Sequence, residues 1–308
     1  MNKKILVIVS GPTCVGKSEL CIKLAKKFNT EIISADSRQF YKELNIGVAK
    51  LPQTKLNEVK HHLINNISIK ENYSIGDYQR DFSKISNKIF KTKDLIFLCG
   101  GSGLYIDAAS QGLNEIPKVK DGVRIKLYED LKRNGIKKLT EKLKKIDLDS
   151  WKKIDLKNPR KVIRCLEVYL SSKKPISYYL KNKLEEKKFD MIHFFLNERR
   201  ELLYKKINNR VDKMILGGLQ DEAEKLIELN KNILLNTIGY KEFHAFFNKK
   251  QSLQETISLI KRNTRRYAKR QITWFKSKNY IEINPDRISA IEKLINEKRE
   301  ANTSLLNK

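Results

Sequence analysis

The sequence lacks any long apolar run. No stretch of its 308 residues approaches the roughly 20 apolar residues that a membrane-spanning helix needs. The longest apolar start, residues 5–9, is followed at once by a Ser-Gly-Pro turn, so it is too short for a signal-peptide core and has no cleavage site. We therefore expect a cytoplasmic protein that uses no membrane.

Cysteine and acidic residues are also scarce. No Cys-x-x-Cys pair occurs among the four cysteines, Cys14, Cys21, Cys99 and Cys165. This spacing argues against a zinc knuckle or a disulfide scaffold and favours buried or incidental thiols in a reducing compartment. The 36 Asp and Glu face 64 Lys and Arg, a formal net charge of +28. Such a charge predicts attraction to a polyanion: nucleic acid, an anionic membrane or a phosphorylated small molecule.

The first hundred residues alternate between β-rich runs and amphipathic stretches. The pattern predicts strands over residues 5–9, 31–34 and 94–98, and helices over 17–28 and 76–90. Strands that alternate with helices indicate βαβ units around a parallel sheet. We therefore predict an α/β fold whose parallel sheet is flanked by helices.

From about Pro117 the pattern becomes helical and basic. Residues 117–190 hold 23 Lys and Arg against 11 Asp and Glu, whereas residues 189–196 and 280–283 resemble strands again. A basic helical segment between two strand-bearing parts indicates an insertion domain.

The predicted boundaries follow from this change of character. Residues 1–116 and 191–308 would form a catalytic core, and residues 117–190 a basic helical insertion domain that contacts RNA. Residues 302–308 are predicted to fray.

The first predicted strand leads into a phosphate-binding motif, Gly-x-x-x-x-Gly-Lys-[Ser/Thr], with a predicted helix after it. Its residues are Gly11, Pro12, Thr13, Cys14, Val15, Gly16, Lys17 and Ser18. The glycines let backbone N–H groups face phosphate oxygens, and the helix N-terminus adds positive potential. Lys17 supplies a cation for the terminal phosphate, and the Ser18 hydroxyl can ligate Mg²⁺. An ordinary glycine-rich turn would not explain the Lys-Ser pair.

NTP hydrolases usually carry an acidic residue on a second strand, where it binds Mg²⁺. In this sequence no acidic residue stands at the end of the strand over 94–98. The strand over 94–98 runs into Cys99-Gly100-Gly101-Ser102, while Asp36 follows the strand over 31–34. An Asp at the carboxyl end of a parallel strand lies in the ligand crevice of such sheets. Asp36 as a turn cap, and Ser102 as a helix N-cap, are the alternative roles. The pattern favours an enzyme that uses phosphate as a leaving group.

A cation-rich helix is predicted near the C-terminus. Residues 261–276 hold seven Lys and Arg and no acid. Four residues recur at the spacing of one helical face: Arg262, Arg266, Lys269 and Thr273. Solvated faces normally mix charges of both signs, so this run indicates an RNA surface, with residues 117–190 as a second. Tyr267 and Trp274 lie seven residues apart, which is more typical of core packing than of base stacking.

Further motifs follow one another along most of the chain. They are Gly-Pro-Thr-Cys-Val-Gly-Lys-Ser at 11–18, Ser-Ala-Asp-Ser-Arg-Gln-Phe-Tyr at 34–41, Asn-Ile-Gly-Val-Ala-Lys at 45–50, Gly-Gly-Ser-Gly-Leu-Tyr at 100–105, Asn-Pro-Arg-Lys-Val-Ile-Arg at 158–164, Gly-Tyr-Lys-Glu at 239–242 and Thr-Arg-Arg-Tyr-Ala-Lys-Arg-Gln-Ile-Thr-Trp-Phe-Lys at 264–276. This ordered set resembles the tRNA dimethylallyltransferases, the IPP transferase family. Cys14, Val48, Ser18 and Ser102 depart mildly from the family pattern, and both serines keep the hydroxyl.

The resemblance implies a reaction and its partners. A dimethylallyl group would pass from dimethylallyl diphosphate to N6 of the adenosine 3′ of the anticodon, tRNA position 37, in tRNAs that read codons starting with U. Diphosphate would be released. The fold would be a P-loop NTPase-like sheet, the cofactor Mg²⁺ held through Ser18, and the protein a monomer that binds tRNA and dimethylallyl diphosphate.

The resemblance also implies roles for individual residues. Asp36, Ser102 and Arg124 would be catalytic, and residues 11–18 with Arg210 would hold the diphosphate. Twelve residues are expected to contact tRNA, and the last three are cations of the basic helix: Asp36, Ser37, Arg38, Gln39, Arg160, Lys161, Val162, Ile163, Arg164, Arg262, Arg266 and Lys269.

Three other functions fit parts of the pattern. A nucleoside or nucleotide kinase shares the phosphate motif but needs no basic insertion. A prenyltransferase acting on free AMP would not need the basic segments or the motifs at 239–242 and 264–276. An RNA-binding protein with an inherited P-loop would not be expected to keep Lys17, Ser18, Asp36 and Ser102.

Overall fold

The fold, seen in a computed structural model, is described for residues 3–181 and 189–304. In these ranges six parallel strands form one sheet with the order β3-β2-β4-β1-β5-β6. The strands are β1 (Lys4–Ser10), β2 (Ile32–Ser34), β3 (His61–His62), β4 (Leu95–Gly100), β5 (Phe189–Leu196) and β6 (Ile281–Ile283). The predicted parallel sheet is confirmed.

The helices of the described chain are α1 (Lys17–Lys27), α2 (Gln53–Leu56), α3 (Ile75–Ile89), α4 (Gly103–Gln111), α5 (Val123–Ile146), α6 (Leu148–Lys153), α7 (Pro159–Ser172), α8 (Ile176–Leu180), α9 (Arg200–Leu216), α10 (Leu219–Ile227), α11 (Lys231–Leu235), α12 (Phe243–Phe247), α13 (Leu253–Lys276) and α14 (Ile288–Ser304). α3 begins with a capping box, in which Ser74 and Asp77 satisfy each other's backbone N–H groups.

The five predicted strands are all confirmed within two residues at each end, and so are the two predicted helices α1 and α3. β4 is buried along its whole length and β1 at all but its first residue. Their apolar sequences are typical of parallel strands covered on both faces. β3 was not predicted, because two histidines give no strand pattern.

The chain divides into two compact units: Met1–Gln111 with Lys187–Lys308, and Gly112–Glu186. The second unit is helical through Leu180, as predicted, and has its own apolar core, which includes Leu139, Leu143 and Val162. The part of that prediction over residues 182–188 lies outside the described residues. Asn158 caps α7, and Pro159 occupies its first turn, where its missing N–H costs nothing.

The prediction that the chain frays from residue 302 is wrong at its first residues. α14 continues through Ser304, and Asn302 is buried and donates a hydrogen bond from Nδ2 to the Lys3 carbonyl at 3.2 Å. Residues 305–308 lie outside the described residues. The sequence around Asn302 is polar, and the partner of Asn302 lies at the other end of the chain. The local sequence therefore does not predict this contact.

The thiols are as predicted: the four cysteines are free, three are buried, and Cys14 is half-buried. Over residues 3–181 and 189–304, no helix combines the length and apolar character needed to cross a membrane.

His193 on β5 makes the stability of the fold sensitive to acid. Ser10 donates its hydroxyl to the Phe194 carbonyl at 3.2 Å and accepts a hydrogen bond from His193 Nε2 at 2.8 Å, which requires a proton on Nε2. Burial lowers the pKa of His193 from 6.5 to about 3, and the nearby Lys278 adds to the fall. The folded chain therefore stays unprotonated at His193 in a pH range where the unfolded chain binds the proton.

We expect the free energy of unfolding to fall as the pH drops below 6.5 towards 3. The free energy of unfolding falls by up to about 1.4 kcal/mol per pH unit, so His193 lowers it by about 2 kcal/mol between pH 7 and pH 5. Denaturant titrations of the wild type and of His193→Gln at both pH values would measure this. The carboxylates titrate equally in both proteins, so the variant should lose about 2 kcal/mol less, and equal losses would contradict the assignment.

Candidate active site

The carboxyl ends of three adjacent strands meet at one edge of the sheet. Cys99 on β4 lies opposite Val9 on β1 and opposite Ser34 on β2. The chain leaving β1 is the phosphate motif, the chain leaving β2 carries Asp36, and the chain leaving β4 carries Ser102. Strand register thus brings together three sequence motifs that lie far apart in the chain.

The phosphate motif forms a P-loop between β1 and α1. Gly11 has a φ of 151°, and a Cβ there would lie 2.6 Å from the Leu196 carbonyl oxygen, so no side chain fits. Gly16 is the left-handed N-cap of α1, and no side chain caps the helix. The first N–H groups of α1 are therefore available to an anion, as predicted for a phosphate cradle.

Two cations lie at this cradle. Lys17 Nζ donates a hydrogen bond to the Pro12 carbonyl at 2.7 Å, and Arg210 on α9 donates from Nη1 to Thr13 Oγ1 at 3.0 Å. Burial lowers the pKa of Lys17; Arg210 also lowers it, while Cys99 and Asp36 act to raise it. The structure thus places Arg210 beside the P-loop, and not on a solvent-facing helix surface.

A cavity of about 350 Å³ opens over the cradle. Polar residues of the P-loop and its surroundings line it: Thr13, Lys17, Ser18, Asp36, His61 and Arg210. Its volume lies in the range typical of small-molecule sites. A phosphorylated ligand would meet cations and amides on one wall and the Asp36 carboxylate on another.

Asp36 caps the turn after β2, which is the alternative role that its sequence position allows. Its Oδ1 accepts a hydrogen bond from the Arg38 N–H at 3.0 Å. Its Oδ2 accepts no hydrogen bond from the described part of the chain, which leaves that oxygen for a ligand. The two roles therefore fall on different oxygens of one carboxylate.

Ser102 joins the ends of β2 and β4. Its Oγ accepts from the Ser37 N–H at 3.2 Å and lies 3.4 Å from Ser37 Oγ. Tyr267 on α13 lies near both Ser102 and Asp36. Burial raises the pKa of Tyr267 to about 12, and the Asp36 charge adds to the rise. These contacts fix the Ser102 hydroxyl beside Asp36.

α13 has one face on the site and another in solvent. Tyr267, Gln271 and Trp274 follow at spacings of four and three and face the chain after β4. The four residues predicted to form an RNA-facing surface are all exposed: Arg262, Arg266, Lys269 and Thr273. Trp274 is 41% exposed, so the expectation that it packs in the core is wrong, while Tyr267 is half-buried. The core is filled instead by Ala268 and Phe275.

The other residues expected to contact tRNA differ in accessibility. Arg160 and Lys161 are exposed on α7. Val162 and Ile163 are 0% and 2% exposed, so the expectation of side-chain contacts with tRNA is wrong for both. Their apolar side chains form the buried face of α7 and hold the neighbouring cations at the surface.

Two further residues of this group, Arg38 and Gln39, form hydrogen bonds with backbone carbonyls of other loops. Arg38 donates from Nη2 to the Asn236 carbonyl at 3.2 Å, and Gln39 donates from Nε2 to the Val48 carbonyl at 3.2 Å. Both side chains are half-buried. They hold the chain after β2 in place and keep part of their surface accessible.

Arg124 belongs to an ion cluster within the second unit. It donates from Nε and Nη2 to the two oxygens of Glu167, both at 2.7 Å, and Arg164 donates to Glu167 Oε1 at 2.8 Å. Burial acts to raise the pKa of the fully buried Glu167, but the two arginines outweigh it and hold that pKa below its ordinary 4.5. A catalytic role for Arg124 stays a prediction.

Sequence reasoning missed Gln271, which contacts both the P-loop and the chain after β4. The signal was present: a polar residue at the position between Tyr267 and Trp274 on one helical face. His61 was also missed as a residue lining the cavity.

Comparison with known proteins places these motifs in a family. A model of the family described as IPP transferase matches residues 39–278. A tRNA dimethylallyltransferase of Christiangramia forsetii is 44% identical over 271 residues, which cover 88% of this chain and 90% of that protein. A tRNA dimethylallyltransferase of Cytophaga hutchinsonii is 38% identical over 299 residues, 97% of this chain and 98% of that protein.

Solved structures show the same similarity. The tRNA isopentenylpyrophosphate transferase of Bacillus halodurans superposes with a TM-score of 0.71 at 34% identity, over 99% of this chain and 100% of that one. A eukaryotic dimethylallyltransferase described as acting on tRNA gives a TM-score of 0.78 at 27% identity, over 93% of this chain and 75% of that one. By its motifs, its fold and these relatives, the chain belongs to the IPP transferase family.

Proposed function

We propose that this chain transfers a dimethylallyl group from dimethylallyl diphosphate to N6 of the adenosine 3′ of the anticodon, position 37, in tRNAs that read codons starting with U. Diphosphate is the other product. The observation that carries the proposal is one cavity lined by a P-loop, by the cations Lys17 and Arg210 and by the carboxylate Asp36. The names of the relatives support the choice of substrates.

Asp36 serves the acceptor. The adenine N6 is a poor nucleophile because its lone pair is delocalised into the ring. A carboxylate oxygen hydrogen-bonded to this amine can take its proton as the new C–N bond forms. Oδ2 is suited to this role because Oδ1 is already bound to the Arg38 N–H, which fixes the carboxylate plane. Ser102 stands beside the reacting atoms, held by its hydrogen bonds with Ser37.

The P-loop stabilises the leaving group. As the allylic C–O bond breaks, negative charge accumulates on the diphosphate, and preorganised donors stabilise it most in the transition state. The N–H groups at the start of α1, the Lys17 ammonium and the Arg210 guanidinium are those donors. Because Lys17 and Arg210 are fixed by Pro12 and Thr13, little reorganisation is needed when the ligand arrives.

The residues also fit Mg²⁺, provided that the substrate supplies most of its ligands. The described ranges contain no group of three His, Cys, Asp or Glu side chains that could hold a metal ion. Mg²⁺ in phosphate sites is typically held by one or two protein oxygens, waters and substrate phosphates. Ser18 would provide the protein oxygen. The ion would neutralise charge on the departing diphosphate.

The exposed cations serve the RNA. Arg262, Arg266 and Lys269 on α13, and Arg160 and Lys161 on α7, contact phosphates of the anticodon stem-loop. The target adenosine leaves its stack to enter the cavity, as bases do in other base-modifying enzymes. We propose that the protein acts as a monomer. Its proposed tRNA substrate and its free thiols support a location in the cytoplasm.

Removing two cations from α13 should weaken the salt dependence of tRNA binding. Each neutralised phosphate contributes about −0.7 to −0.9 to the slope of log K against log salt. The double variant Arg262→Ala, Arg266→Ala should flatten that slope by about 1.4 to 1.8 and leave the affinity for dimethylallyl diphosphate unchanged. A matched control removes Lys84 and Lys88 from exposed positions of α3. The control should keep the wild-type slope, and an unchanged slope in the α13 variant would exclude α13 from the RNA footprint.

The experiment that tests the function measures diphosphate release from dimethylallyl diphosphate in the presence and absence of tRNA. Release that requires tRNA, with the prenyl group recovered on its adenosine, supports the proposal. Release that requires only AMP would support an AMP prenyltransferase, and ATP turnover with a mononucleotide would support a kinase. Binding of tRNA with no turnover would leave an RNA-binding protein.

A further inference from the structure

One side chain of α13 connects the P-loop with the chain that follows β4. Gln271 Oε1 accepts a hydrogen bond from the Thr13 N–H at 2.9 Å, and its Nε2 donates to the Gly101 carbonyl at 2.8 Å. Gln271 is only 6% exposed. Both ends of its amide are therefore satisfied inside the protein.

Glycines after β4 make room for this contact. A Cβ on Gly101 would collide with Gln271 Nε2, and a Cβ on Gly103 would collide with the indole of Trp274. α13 can approach the chain beside Ser102 only because neither position carries a side chain. Both the close approach of α13 and the two hydrogen bonds of Gln271 therefore require glycine at positions 101 and 103.

Burial of this amide has a physical cost that packing alone does not explain. An apolar side chain of similar size would fill the space without the loss of hydration that a buried polar group suffers. It would leave the Thr13 N–H and the Gly101 carbonyl without their partner, and such orphaned groups are expensive. Gln271 therefore fixes the positions of two backbone groups.

These two groups belong to the two halves of the reaction site. Thr13 lies in the P-loop, and its hydroxyl also accepts from Arg210. Gly101 directly precedes Ser102, which contacts Ser37 beside Asp36. We propose that Gln271 is a positioning residue that sets the distance between the diphosphate on the P-loop and the acceptor beside Ser102 and Asp36. This inference rests on the proposed function.

The variant Gln271→Leu keeps the bulk of the side chain and removes both hydrogen bonds. A misplacement of about 1 Å can slow a reaction about 10²-fold. We therefore expect the single-turnover rate at saturating tRNA and dimethylallyl diphosphate to fall about 10²-fold per active site. The Kd for tRNA should change less than threefold, because Arg262, Arg266 and Lys269 lie on the solvent face of the helix.

The variant Gly101→Ala should reproduce this loss, because its Cβ displaces Gln271. Gly76→Ala is the matched control: a Cβ there has its nearest neighbours at 3.6 Å, an ordinary contact, so transfer should be unchanged. If Gln271 only stabilised the fold, both Gln271→Leu and Gly101→Ala would melt at a lower temperature but transfer at the wild-type rate per active site. That result would overturn the proposal.

A second measurement separates this inference from the proposed function. Calorimetry with inorganic diphosphate reports on the cradle without any transfer, and we expect Gln271→Leu to bind it about tenfold more weakly, or about 1.4 kcal/mol. If the wild type transfers no prenyl group, the proposed function fails and the diphosphate affinity decides: weaker binding by Gln271→Leu supports the positioning role, and equal binding overturns it.

Discussion

Replacement of Lys17 with alanine is expected to abolish prenyl transfer. Lys17 is the cation at the start of α1, and its ammonium already lies under the cradle at 2.7 Å from the Pro12 carbonyl. Loss of one preorganised donor at a developing negative charge typically costs about 10²–10³-fold, and a full positive charge should cost at least as much. The measurement is single-turnover transfer at saturating tRNA and dimethylallyl diphosphate.

The control is Lys23→Ala, which removes the same charge from an exposed position on the same helix. It should transfer at the wild-type rate. Inorganic diphosphate should compete with the prenyl donor in the wild type and bind Lys17→Ala weakly, because the same ammonium serves donor and product. ATP should be neither hydrolysed nor required. Stoichiometric ATP consumption would instead support a kinase.

Replacement of Asp36 with asparagine is expected to slow the chemical step and little else. The change keeps the shape of the side chain and the acceptor for the Arg38 N–H, but removes the basic carboxylate from the cavity lining. General-base contributions run about 10²–10⁴-fold, or roughly 3–5 kcal/mol of barrier. Single-turnover transfer should fall by that factor. The dissociation constants of tRNA and dimethylallyl diphosphate should shift little, because both have larger contacts elsewhere.

The transfer rate of a variant that melts at the wild-type temperature distinguishes this role from a structural one. Asparagine is as good a cap as aspartate, so Asp36→Asn should keep its stability in either case. A carboxylate that only capped the turn would also keep the wild-type rate. Unchanged chemistry in a stable variant would therefore remove the general-base assignment and leave Asp36 as a structural residue.

The sheet and the cradle could be predicted because their causes are local. A run of five apolar β-formers, a glycine-rich turn and Lys17 follow one another within residues 5–18, and each dictates its own conformation. The place of Asp36 followed from a general property of parallel sheets: ligands bind where the strands end. The register of β1, β2 and β4 then explains why the motifs after these strands meet.

What could not be predicted depends on contacts between distant parts of the chain. Gln271 reaches a backbone group 258 positions earlier, and no periodicity encodes the identity of that partner. Val162 and Ile163 fall within a motif that resembles an RNA contact, but their burial is set by the core of the second unit. The half-exposed Trp274 could not be distinguished from a core residue by spacing alone.

The fit of α13 against the chain after β4 has a consequence for how this sequence can change over time. Gly101 and Gly103 have no room for a side chain because Gln271 and Trp274 occupy that space. A side chain added at 101 or 103 meets a steric barrier, and a smaller residue at 271 or 274 leaves a hole, so the sizes of these residues are linked. The four positions should therefore be inherited as a set, and a descendant that gains a side chain at 101 should carry a smaller residue at 271.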